Sequence, residues 1–80
     1  DPIEKRNGEF DIVTLDDRGY IFYEAKFRKE PITESVVQNE IRQVEQTGLE
    51  CYKYGFFSKS GFACEEEENR ILIELKELYK

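Results

Sequence analysis

Residues 9–27 read Glu9-Phe10-Asp11-Ile12-Val13-Thr14-Leu15-Asp16-Asp17-Arg18-Gly19-Tyr20-Ile21-Phe22-Tyr23-Glu24-Ala25-Lys26-Phe27. Two runs rich in β-branched and aromatic residues flank the turn formers Asp16 to Gly19, so the stretch predicts a β-hairpin. Alternation puts Phe10, Ile12 and Thr14 on one face of the first strand and Glu9, Asp11, Val13 and Leu15 on the other. A turn centred between Asp17 and Arg18 sets Asp11 nearly opposite Glu24, and the period of two keeps Glu24 and Lys26 on one face. Two carboxylates and an ammonium are thereby expected to converge.

Beyond the hairpin, Pro31 stops the extended run, and Thr33 and Glu34 suit the first turn of a helix. Val37, Ile41 and Val44 recur at spacings of four and three, Val36 widens the stripe, and Glu40, Arg42, Gln43 and Glu45 fill other faces until Gly48 ends the helix. The helix is expected over roughly 33–47. Cys51 to Ser58 has aromatic, strand-like composition, with Gly55 marking a close approach of backbone or ligand. Ser60-Gly61 marks a turn, residues 62–68 are expected to form a short helix, and Ile71-Leu72-Ile73 fits a buried strand, with Leu75 and Leu78 closing the core. The order strand, strand, helix, strand, short helix, strand predicts an α/β domain with a mixed central sheet of about four strands flanked by helices.

Eighty residues allow one domain, 1–80, with a single core. With 39% hydrophobic, 14% aromatic and 38% charged residues the chain has enough apolar material to fold. No apolar run approaches a membrane span, and the start Asp1-Pro2-Ile3-Glu4 lacks the layout of a signal peptide, so a cytoplasmic location is expected. The sequence contains no Met and is expected to be a piece of a longer protein. Cys51 and Cys64, with no His anywhere, exclude Cys₄ and Cys₂His₂ zinc sites and Ser-His or Cys-His catalysis within this chain; they read as reduced, partly buried small hydrophobes. The net charge of −6 opposes strong nonspecific nucleic-acid binding, although Glu65 to Glu68 alone supply four negatives. Lys26, Arg28 and Lys29 form a local basic rim that could face a phosphate backbone.

Adjacent carboxylates repel and raise one pKa unless a cation joins them, and Mg²⁺ takes one or two carboxylates plus waters and phosphate oxygens. Metal-dependent phosphodiester hydrolysis needs that grouping, with a neighbouring lysine to orient the water or stabilise the transition state. Glu9, two residues before Asp11, shares its face and is a candidate further ligand. On spacing alone the plainer reading is a solvated sheet face, with Lys26 in a surface ion pair worth about 0–1 kcal/mol. The aromatic strand residues are read as sheet packing rather than base-stacking platforms, and Ser58-Lys59-Ser60-Gly61 as turn chemistry rather than a phosphate loop.

The succession Gly8-Glu9-Phe10-Asp11-Ile12-Val13, Phe22-Tyr23-Glu24-Ala25-Lys26, a helix, then Tyr54-Gly55-Phe56-Phe57-Ser58 and Ser60-Gly61-Phe62 resembles the PD-(D/E)XK nuclease superfamily over about residues 8–78. Its later part is similar to restriction-endonuclease-like domains of the Mrr type, above all the domain that follows the P-loop, AAA+-type module in archaeal and bacterial ATPases. The resemblance implies a restriction-endonuclease-like core acting as a Mg²⁺- or Mn²⁺-dependent DNA endonuclease attached to an ATPase. It further implies that Asp11 and Glu24 are metal carboxylates, that the Ala25 carbonyl completes the shell and that Lys26 is the catalytic lysine. Gln43 matches a glutamine of some branches. Phe10 stands where the superfamily usually has Pro, and the first core helix, which often brings another acidic ligand, falls before Asp1 or is absent. The expected partners are DNA, the ATPase domain of the same protein and a second copy in a homodimer, with no membrane. The alternative expectation is a catalytically inactive nuclease-fold domain used for docking or self-association; the acidic balance supports it.

Overall fold

A computed structural model of the chain describes residues 3–4 and 10–75. Its elements are β1 (Ile3–Glu4), β2 (Phe10–Asp16), β3 (Gly19–Lys26), β4 (Ile32–Thr33), α1 (Glu34–Gln46), β5 (Cys51–Ser58), β6 (Phe62–Ala63) and β7 (Arg70–Glu74). The main sheet runs β1-β2-β3-β5-β7, and β4 pairs with β6 in a small second sheet. β1, β2 and β3 are antiparallel neighbours, whereas β3, β5 and β7 run parallel. The fold is α/β with a mixed sheet, its four longer strands joined at one edge by the two-residue β1.

The hairpin forms where the turn residues demand it. Asp16 pairs with Gly19, the Asp16 carboxylate accepts from the Arg18 N–H at 2.8 Å, and Gly19 takes φ +133°, a backbone state that side-chain-bearing residues rarely adopt. α1 starts at Thr33, whose hydroxyl accepts from the Val36 N–H at 3.3 Å, and ends through Thr47 and Gly48, the latter at φ +83°. The helix lays Val37 and Val44 on one face of the sheet, against Phe22, Tyr54 and Phe56 and beside Ile32 of β4. Arg70, 3% exposed, ties β7 to the start of α1 by two contacts to the Glu34 carboxylate, at 2.7 and 3.1 Å.

One expectation requires correction. Residues 62–68 do not form a helix. Phe62–Ala63 pairs with β4 instead, and an isolated bridge joins Glu67 to Arg70. Four successive carboxylates would repel along a helix surface, and here two of them have better partners. Glu66 accepts from the Leu72 N–H of β7 at 3.1 Å, and Glu67 lies 4.0 Å from Arg70. The acidic run thus covers part of the backbone of an edge strand. Of the helices expected to flank the sheet, the described residues show one, α1, which covers one face; no described helix lies on the other. Ile12, Tyr23, Ala25 and Phe57 face that open side, where a small groove of about 150 Å³ also takes in Phe27 and Leu75. Tyr23 lies across Gly55, where an added Cβ would stand 2.5 Å from the ring, which is why β5 carries a glycine at its centre.

Cys51 and Cys64 are both free and half-buried, as expected. The predicted core residue Leu78 lies outside the described residues.

Candidate functional site

The candidate site begins as a change of chemistry along the core-facing rows of the sheet. On β3 the row that starts with buried Phe22 continues as Glu24 and Lys26, because alternate residues share a face. On β2 the same face carries Val13 and then Asp11. On β5 it runs Tyr54, Phe56 and Ser58. The apolar core therefore gives way to polar side chains at the carboxyl ends of the parallel strands, the end at which open α/β sheets bind ligands.

The register places Asp11 directly across from Glu24. This is the convergence expected from the turn centre. Lys26 Nζ lies 2.8 Å from Glu24 Oε2, and Ala25 between them is buried, with Phe10 and Phe57 as its register partners. The plainer reading of a solvated face with a surface ion pair does not hold. Glu24 is 0% exposed and Lys26 2%, because α1 lies over this face. The ion pair is internal, where charge must be matched or neutralised rather than screened by water.

α1 also brings a residue that the sequence reading assigned to an outer face. The Glu40 carboxylate sits 3.3 Å from Lys26 Nζ, so one ammonium is shared by carboxylates from a strand and a helix. Its signal was present in the sequence: Glu40 is three residues after Val37 and four before Val44, which puts it on the buried stripe. Gln43 lies one turn further on and is exposed, yet it lines the same cavity as Asp11 and Glu40. That cavity, about 370 Å³, opens between β2, β3 and α1 with Val13, Phe22 and Val44 on its apolar wall. Glu9 lies outside the described residues.

Burial pushes the Glu24 carboxyl up to about 7, and the neighbouring Glu40 carboxylate adds to the rise while Lys26 opposes it. Near neutral pH the group is poised between its two forms, so a nearby cation would draw it into the charged one. The donor set consists of hard carboxylate oxygens, which suits Mg²⁺ or Mn²⁺ and no soft metal. Among the described residues no three Asp, Glu, Cys or His side chains gather at metal-ligand spacing. The register pair Asp11 and Glu24 supplies two carboxylates, as many as Mg²⁺ commonly takes while keeping several waters.

In comparisons with protein families, curated proteins and solved structures, the chain matches none of them.

Proposed function

We propose that this chain is a restriction-endonuclease-like domain of the PD-(D/E)XK type, a Mg²⁺-dependent DNA endonuclease module carried in the cytoplasm by a P-loop ATPase. The observation that carries the reading is the pairing of Asp11 with Glu24 in the hairpin, with Lys26 2.8 Å from the Glu24 carboxylate on the same face. Asp11 and Glu24, helped by the Ala25 carbonyl, would hold the ion. When bound, the ion supplies a water of lowered pKa and offsets charge on the phosphate. Lys26, held between Glu24 and Glu40, would orient the Glu24 carboxylate and stabilise through its charge the negative charge that develops on the phosphate. Glu40 positions Lys26 by accepting from the ammonium on its helix side. Gln43, at the rim of the same cavity, is placed to hydrogen-bond an incoming phosphate or base.

A second reading, an inactive nuclease-fold domain used for docking, is favoured by one observation. The open face of the sheet, with Ile12 and Ile73 each 37% exposed, has no covering element among the described residues.

The test is nicking of supercoiled plasmid DNA in millimolar Mg²⁺ or Mn²⁺. Asp11→Asn, which keeps the size of the side chain and removes its charge, is expected to lower the rate at least about a hundredfold. Equal, background-level products from the native chain and the variant in both metals would overturn the nuclease reading and leave the docking one.

A further inference from the structure

The loops that leave β3 and β5 lie side by side, just past the polar end of the core. They are tied by backbone and side-chain bonds: Lys59 N–H donates to the Lys26 carbonyl at 3.3 Å, Ser60 Oγ donates to the Arg28 carbonyl, and Ile32 N–H donates to the Gly61 carbonyl at 2.9 Å. Ser58 Oγ, itself buried, donates to the Gly61 carbonyl at 2.8 Å and fixes the second loop from inside. These bonds hold a cleft of about 630 Å³ walled by Phe27, Arg28, Lys29, Glu30, Lys59 and Ser60. Three of the chain's twelve basic residues meet a single carboxylate there, in a protein whose net charge is −6. Lys29 and Lys59 are exposed, and Arg28 is half-buried at the wall. The sequence reading placed Lys26 on this basic rim; burial removes it, and Lys59 from the neighbouring loop takes its place.

We infer that this cleft binds the phosphodiester backbone of a nucleic-acid strand and leads it toward Asp11, Glu24 and Lys26. The inference rests on the nuclease reading for its direction, since Lys26 closes β3 and the cleft opens one residue later. A polyanion is the fitting ligand because exposed cations from two tied loops suit a repeating charge, and the acidic remainder of the surface repels the strand elsewhere. Phe27 gives the cleft an aromatic wall on which a base can stack.

The test is fluorescence anisotropy of labelled duplex and single-stranded DNA, with metal chelated so that binding is read without cleavage. Lys29→Glu/Lys59→Glu is expected to weaken binding at least tenfold at low salt and to make the slope of log K against log salt shallower by about two. A melt by circular dichroism checks that the double variant folds, since both lysines are exposed. Undiminished binding by the folded double variant, or no DNA binding by the native chain, would overturn the inference. So would complete displacement of DNA by millimolar inorganic phosphate, which would make free phosphate the ligand. Cleavage retained in full by the double variant would sink the cleft while sparing the nuclease reading. Binding lost in the double variant, with no cleavage by the native chain, would spare the cleft and sink the nuclease reading.

Discussion

Replacing Lys26 by Met is expected to destabilise the domain by about 3–5 kcal/mol above neutral pH, where Glu24 is charged, because removal of one member of a buried ionic cluster leaves the rest uncompensated. Lys26 is 2% exposed and its ammonium lies 2.8 Å from Glu24 and 3.3 Å from Glu40. Without it, two carboxylates face each other under α1. A chain of 80 residues has a total stability of only about 4–12 kcal/mol, so the variant should be largely unfolded or melt more than about 12 °C below the native chain. The loss should be greatest above about pH 7 and shrink as pH falls through that value, because Glu24, whose pKa of about 7 is pushed further up once Lys26 no longer opposes the rise, takes up a proton in the folded state and one of the two charges disappears. Adding Glu24→Gln to the Lys26 variant should restore part of the stability by the same logic. Circular dichroism melts of the single and double variants across pH measure this directly, and an unchanged melting temperature for Lys26→Met would show the cluster to be solvated after all.

Glu24→Gln alone is expected to act in the opposite direction. The folded-state pKa of Glu24 is raised from 4.5 to about 7, first by burial and then by Glu40. Below about pH 4.5 both folded and unfolded chains hold the proton, and the group costs nothing. As pH rises from about 4.5 to about 7 the unfolded chain releases it first, so stability falls by an amount of order 3 kcal/mol and then levels off. Gln in this place can accept from Lys26 and donate to Glu40, as a protonated carboxyl would. The variant should therefore melt higher than the native chain at about pH 8, by about 1–3 kcal/mol, and match it near about pH 4.5. Glu34 works in a separate window: Arg70 holds its pKa down at about 2, so the stability it contributes is present above 4.5 and lost on further acidification. Parallel melting curves for the native chain and Glu24→Gln at every pH would contradict the buried-carboxylate account.

The hairpin and its register were legible because the turn fixes them. Asp16 to Gly19 admit one tight turn, and every pair from Leu15–Tyr20 to Asp11–Glu24 follows from it. α1 was legible from Val37, Ile41 and Val44; Thr33, expected in its first turn, stands one residue before it as the N-cap. Spacing could state that Glu24 and Lys26 share a face, but not that the face is buried, since that depends on where the helix lands. Glu40 was missed for a related reason. A carboxylate on a helix is ordinarily solvated, and only the presence of Lys26 beneath makes an inward position favourable. The false helix at 62–68 came from local composition. A pairing across the fold between Ile32–Thr33 and Phe62–Ala63, together with the bonds from Glu66 and Glu67, decides the matter instead. The open face of the sheet left no mark, because Tyr23, Phe57 and Ile73 read like any core residues.

The central claim is that Asp11 and Glu24 form a divalent-cation site served by Lys26. It is tested most directly by thermal unfolding of the native chain, Asp11→Asn and Glu24→Gln with and without Mg²⁺ or Mn²⁺. An ion that binds only the folded chain stabilises it by RT ln(1 + [L]/Kd), about 1.4 kcal/mol at ten times Kd, which is roughly 6–11 °C for a domain of this size. The account predicts a rise of this order for the native chain at millimolar metal and none for either variant. The same melting temperature with and without metal in all three proteins, or an equal rise in all three, would contradict it.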